Sequence, residues 1–180
     1  MDIPLEQRRL FLQVALDAIG KSKPFIQEMV RKGFSVQTKA DNTLVTEVDR
    51  GVEQIIRETI QQEFPNHSII GEELGVLNPD SDFKWYIDPI DGTINFAHGI
   101  PLYGTIVGLH YKGKPLAGVI EHTGLNLCYY AGLGLGAFCN DQRIKIEDVK
   151  SASEIKEEII ATCPPSSFKE TGTLDKYEKL

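Results

Sequence analysis

Glu72 and Glu73 follow Ile70-Gly71, and Asp88-Pro89-Ile90-Asp91-Gly92-Thr93 comes soon after them. Pro89 fixes its own φ and biases Asp88 away from the α region, so a turn is expected there. Two acidic side chains on a short rigid turn repel each other unless a positive charge lies between them. A divalent metal answers that need, and hard oxygen ligands suit magnesium. Gly92 lets the backbone approach a ligand, and free amides at a helix start after it would bind phosphate. These residues point to metal-assisted phosphate chemistry.

Each feature also has a plainer reading. Asp and Pro are turn residues, so Asp88 to Asp91 fits an ordinary turn. Glu72-Glu73 fits a solvated strand end and gains weight only as a partner for Asp88. Thr46-Glu47-Val48-Asp49 has capping-box spacing, which favours helix capping over chemistry for Thr46 and Asp49. Gly132-Leu133-Gly134-Leu135-Gly136 fails the spacing of a nucleotide loop and is followed by strand and turn residues. It reads as backbone crossing between strands.

The elements that must position these residues follow from periodicity. Residues 5–32 read as helical, with Pro24 expected to kink or split the helix and Gly33 to stop it. Residues 38–42 are polar and turn-like, and Leu44-Val45 leads into a second helix. There Val52, Ile55, Ile56, Ile60 and Phe64 keep a helical period until Pro65. Residues 68–70 form a strand that delivers Glu72, and residues 84–87 form another that delivers Asp88. A short helical stretch is expected after Gly92. Residues 105–111 and 116–121 make a hairpin, residues 127–131 a strand, and residues 138–146 a second hairpin turning at Asn140-Asp141. Residues 154–163 suit a helix running into a strand. Helices first and antiparallel strands after them argue for a layered fold around one large sheet.

The whole chain sets bounds on function. Its 180 residues carry 41% hydrophobic and 25% charged residues, as soluble globular proteins do. The net charge of −7 argues against nucleic-acid or membrane-surface binding, both of which favour basic patches. It is compatible with a small anionic substrate once metal ions neutralise the site. No long apolar run and no secretory leader pattern are present, so a cytoplasmic protein is expected. Cys128, Cys139 and Cys163 form no CxxC pair and read as reduced thiols. His67, His98, His110 and His122 lack zinc-ligand spacing, which leaves surface or core roles.

Together the motifs resemble those of the inositol monophosphatase superfamily of magnesium-dependent, lithium-sensitive phosphatases. The matching segments are Val45-Thr46-Glu47-Val48-Asp49, Gly71-Glu72-Glu73, the run from Trp85 to Phe96, and Gly134 to Asn140, in order across residues 5–150. The resemblance implies that Glu72, Asp88, Asp91 and the Ile90 carbonyl ligate Mg2+, with Asp88 bridging two ions. It implies that Thr93, oriented by Asp49, positions the attacking water alongside Glu72. The amides of Gly92 and Thr93 would hold the substrate phosphate, and Lys39 lies near a basic residue of the family's active-site loop.

The expected fold is α+β and layered, with N-terminal helices packed on a large, mostly antiparallel sheet. Residues 1–163 are expected to form the metal-binding domain and residues 164–180 to begin a second. The family's C-terminal α/β unit carries a W-D motif whose aspartate completes the second metal site; Trp85 is the single tryptophan in these 180 residues, so that motif is not expected among them. The resemblance therefore implies a shortened member that binds one metal and turns over poorly. An open sheet edge would favour association, and a homodimer is expected. The implied activity is hydrolysis of a small polyol phosphate such as inositol 1-phosphate. Alternatives within the family are histidinol phosphate, toward which residues 102–105 and 118–122 lean, fructose bisphosphate and 3′-phosphoadenosine nucleotides. Outside it stand a non-catalytic regulatory protein and an unrelated metal-binding domain.

Overall fold

The apolar stripe of the first segment folds as a single helix, α1 (Leu5–Lys32), in a computed structural model that describes residues 3–39 and 44–145. Phe11, Val14, Ala15, Ala18, Ile19 and Ile26 bury its inner face. Pro24 lies inside α1 without splitting it. The carbonyl that a proline ring would crowd belongs to Gly20, a residue without a side chain, where a Cβ would meet nothing beyond the helix's own backbone within 4 Å. Gly33 ends the helix at φ 86°, its N–H donating to the Met29 carbonyl.

A two-stranded antiparallel ribbon, β1 (Val36–Thr38) with β2 (Leu44–Thr46), follows α1, and of the residues expected to be turn-like 40–42 lie outside the described residues. The β1 residues are all exposed, so no apolar alternation betrays them in the sequence. The second helix, α2 (Glu47–Glu63), starts from a complete capping box between Thr46 and Asp49. Val48, Val52, Ile56 and Ile60 are its buried stripe. Gly51 lets α2 approach α1: a Cβ there would overlap the Phe25 ring.

An eight-stranded sheet carries the rest. Its strands are β3 (Ser68–Gly71), β4 (Val76–Leu77), β5 (Phe83–Asp91), β6 (Gly104–Tyr111), β7 (Lys114–His122), β8 (Leu127–Gly132), β9 (Gly136–Cys139) and β10 (Gln142–Ile144). The order is β10-β9-β8-β7-β6-β5-β3-β4, and among the described residues only β3 and β5 pair in parallel. A five-residue helix, α3 (Thr93–Ala97), follows β5. Two-residue turns close the β6–β7 and β9–β10 hairpins, where Lys112-Gly113 and Asn140-Asp141 all have positive φ. The glycine-rich run 132–136 is the β8–β9 connection, with Gly132 and Gly136 paired across it.

One face of the sheet is the core. Trp85 and Ile87 of β5, Val107 and Leu109 of β6, and Val119 of β7 join the buried faces of α1 and α2. His67 serves this core rather than a metal. Its ring stacks on Phe64 and Phe83, and its Nδ1 accepts the Trp85 indole N–H at 3.1 Å. Burial holds its pKa down at about 4, which keeps the ring neutral. The alternate residues Tyr86, Ile120 and Tyr129 are exposed, so the other face of the sheet shows apolar side chains to solvent. Among the described residues no helix is long and apolar enough to cross a membrane. The domain boundary expected at residues 163 and 164, the helix expected over residues 154–163, and Cys163 lie outside the described residues.

Candidate metal and phosphate site

The strand carrying Asp88 does not turn sharply at Pro89. It continues to Asp91 through a bulge, with pairing to β6 shifted between Asp88 and Asp91. A bulge tolerates proline because the ladder needs no N–H there. The Thr105 hydroxyl donates to the Pro89 carbonyl at 2.9 Å, and Ile90 buries its side chain in the core. The bulge is thereby fixed from both sides, and it re-aims the two flanking carboxylates.

Asp88 is the least comfortable of these groups. Its Oδ1 is buried and has no hydrogen-bond partner among the described residues. Burial pushes its pKa up to about 7, helped by the charges of Glu72 and Asp91, a hydrogen bond with Glu72, and the Asp49 charge. Four acidic side chains thus feel one another at the ends of β3 and β5 and the start of α2. Carboxylates crowded and desolvated in this way call for a cation.

Glu72 and Glu73 leave β3 together but face different surroundings. The Glu72 side chain is half exposed, whereas that of Glu73 is buried. Lys39 bridges them, its ammonium 3.1 Å from Glu72 and also bonded to Glu73. Burial pulls the Lys39 pKa down, but the bonds to Glu73 and Glu72 outweigh it and the net shift is upward. Lys39 therefore neutralises part of the corner. Among the described residues no three His, Cys, Asp or Glu side chains already converge as a ready cage. The donor set and the orphaned Asp88 oxygen nonetheless suit a hard divalent ion.

Gly92 has to be glycine. Its φ is 81°, and a Cβ would come 3.0 Å from the Leu102 carbonyl. It is the N-cap of α3, whose first N–H groups have no intrahelical acceptor. Phe96 anchors α3, stacked on Phe34 at 4.5 Å and set edge-on to Tyr103 at 4.8 Å. Asn95 Nδ2 donates to the Leu102 carbonyl at 2.7 Å and closes the same loop.

Thr93 and Asp49, read together in the sequence, have separate partners here. The Thr93 hydroxyl donates to the Ile90 carbonyl at 3.0 Å. Asp49 Oδ2 accepts from the Thr46 amide at 2.8 Å and the Thr46 hydroxyl at 2.5 Å. Burial raises the Asp49 pKa, opposed by the Thr46 hydrogen bonds and assisted by the Glu73 charge. Asp49 is thus a helix cap that also faces the acidic corner. The structure gathers Asp49, Glu72, Asp88 and Asp91 into one electrostatic neighbourhood, with Ile90, Gly92 and Thr93 on the adjoining bulge and helix start.

Sequence reasoning missed Glu53 and Arg57. Both lie on the buried side of α2 and hold the turn that follows β3. The available signal was an i,i+4 Glu–Arg pair placed directly beside the apolar positions Val52 and Ile56.

The profile of the inositol monophosphatase family matches residues 7–180. A histidinol-phosphatase of Chlorobaculum parvum is 38% identical over 143 residues, covering 79% of this chain and 55% of that protein. A fructose-1,6-bisphosphatase/inositol-1-monophosphatase of Aquifex aeolicus is 33% identical over 149 residues, covering 82% of this chain and 56% of that protein. The crystal structure of the extragenic suppressor protein suhB of Bartonella henselae superposes with a TM-score of 0.72 at 30% identity, over 76% of this chain and 54% of that one. The chain spans about half the length of the curated relatives it matches. With helices on a mixed sheet and the acidic corner at its strand ends, the chain belongs to the inositol monophosphatase family.

Proposed function

We propose that this chain carries the metal-binding part of a Mg2+-dependent phosphomonoesterase for a small polyol phosphate, with inositol 1-phosphate as the first substrate to test. The observation that carries the reading is Asp88, half-buried, with a buried Oδ1 that has no hydrogen-bond partner among the described residues, and raised to about 7 among neighbouring carboxylates. Asp88, Asp91, Glu72 and the Ile90 carbonyl would hold Mg2+, which supplies Lewis-acid charge and a more acidic bound water.

The chain's own groups have defined tasks in this reading. The Gly92 and Thr93 amides, at the start of α3, would donate to the substrate phosphate. Gly92 admits the phosphate because no side chain stands there. Glu72, half exposed and beside Asp88, accepts a proton from the attacking water. Thr93, tied to Ile90, orients that water, and Asp49 keeps the start of α2 beside it. Lys39 balances Glu72 and Glu73 between turnovers.

A histidinol-phosphate phosphatase is the second reading, favoured by the 38% identity to a protein of that name. The test is phosphate release from inositol 1-phosphate and from histidinol phosphate, with and without Mg2+, using Asp88→Asn as the blank. Release that needs both Mg2+ and Asp88 supports the proposal, and the preferred ester selects between the readings. Release indifferent to Mg2+ or to Asp88 contradicts it. Mg2+ uptake without release from any phosphate ester would favour a non-catalytic regulatory protein instead.

A further inference from the structure

Beneath Glu72 and Glu73 lies a buried ion pair that the chemistry above does not use. Glu53 on α2 has a side chain 0% exposed, and that of Arg57, one turn on, is 8% exposed. Glu53 Oε1 accepts from Arg57 Nε at 2.7 Å and from the Leu74 amide at 3.2 Å. Glu53 Oε2 accepts from the Glu73 amide at 2.7 Å. Arg57 Nη2 donates to the Gly75 carbonyl, which also accepts the Gly71 amide at 3.1 Å. The turn from Gly71 to Gly75 is thus held by its amides on one side and by its last carbonyl on the other. Gly71 has no room for a side chain, since a Cβ would overlap the Glu53 carboxylate.

A buried ion pair is a poor way to stabilise a fold, because well-packed apolar residues of similar volume often do as well or better. What this pair supplies is direction: its bonds to the Glu73 and Leu74 amides and to the Gly75 carbonyl fix the backbone that carries Glu72 and Glu73. The same helix carries Asp49 at its first turn, so one rigid element sets the turn and one of its acidic neighbours. We propose that Glu53 and Arg57 are positioning residues that hold the 71–75 turn so that the Glu72 carboxylate is presented to Asp88 for cation binding. This rests on the reading of the Asp88 corner as a Mg2+ site.

The test combines amide hydrogen exchange with Mg2+ titration calorimetry on the full chain. In Glu53→Gln, exchange at the Glu73 and Leu74 amides should quicken and the Mg2+ dissociation constant should rise, each by roughly tenfold or more. The Ile60 amide, within α2, should keep its protection. Arg57→Lys retains the charge beside Glu53 but lacks the fork that spans Glu53 and the Gly75 carbonyl. It should weaken Mg2+ binding by a smaller factor, and it carries the test should Glu53→Gln fail to fold. Unchanged turn protection, or a loosened turn with unchanged Mg2+ affinity, overturns the proposal. A wild-type chain that takes up no Mg2+ would sink the cation reading, and unchanged exchange in the variants would then separately sink the clamp.

Discussion

Glu53 is a buried carboxylate and Asp88 a half-buried one, and they sit in opposite states. Glu53 is sealed from solvent, yet two amides and a guanidinium satisfy it. Asp88 is less buried, yet one oxygen has no partner among the described residues and its nearest charged neighbours are other carboxylates. Burial alone does not mark a functional acid. The mark is burial without compensation, because a desolvated carboxylate that the fold leaves unpaired is stabilised only by something that binds. Glu121 shows the compensated state again: it is buried in β7, and the Lys23 ammonium lies 2.7 Å from its Oε1. That separation pairs the charge even though Oε1 lacks a well-directed hydrogen bond. Beside it the Cys128 thiol is pushed up to about 12, by burial first and then by Glu121, which leaves it unreactive.

The largest expected effect breaks the contrast at Asp88. On the proposed reading Asp88→Asn should weaken Mg2+ binding by roughly 100-fold or more while the far-ultraviolet circular dichroism stays native, because the charge proposed to hold the ion is lost and no volume changes. Unfolding of this variant would return the segment to an ordinary structural role. Next in size, if the Thr93 hydroxyl orients a water rather than the ion, Thr93→Ala should lower phosphate release by roughly 100-fold and leave the Mg2+ isotherm within about twofold. Equal losses in both would place Thr93 among the groups that build the ion site.

A smaller effect sharpens the contrast through pH. Asp88 has an ordinary value of 3.8 and is raised to about 7 in the fold. Between those values the folded protein holds a proton that the unfolded chain has shed. This contribution to stability is present at low pH and is lost as pH rises toward about 7. The metal-free chain should therefore melt lower at pH 8 than at pH 5, and Asp88→Asn should remove roughly 5 °C of that difference. A thermal scan at the two pH values checks it, and identical pH dependence in the variant would mean that Asp88 is not the strained group. Smallest of all, Gly92→Ala should cost about 1–2 kcal/mol in denaturant unfolding, because φ 81° is unfavourable for a side chain.

Much of this was legible in the sequence, and the failures have physical causes. Gly92 and the Asn140-Asp141 turn were readable because few residue types suit positive φ, and the acidic residues stood out as types close together in the sequence. The helix spans were readable from their apolar stripes. The turn expected at Pro89 is a bulge, because the β6 partner strand and the Thr105 hydroxyl hold the chain extended where local preference alone suggests a turn. The β1–β2 ribbon was hidden because its first strand buries nothing. Glu53 and Arg57 were overlooked because charged residues on a helix usually face water, and their partners are backbone groups distant in sequence. Pairing across the fold decides what a charge does, and residue type alone does not report it.

The most direct measurement is a Mg2+ titration by calorimetry of the 180-residue chain beside Asp88→Asn, at pH 8 where the carboxylates are ionised. A saturable isotherm in the wild type, absent in Asp88→Asn, is the result expected if the unpaired Asp88 oxygen marks a cation site. Matching isotherms in the two proteins, or none in either, would contradict it.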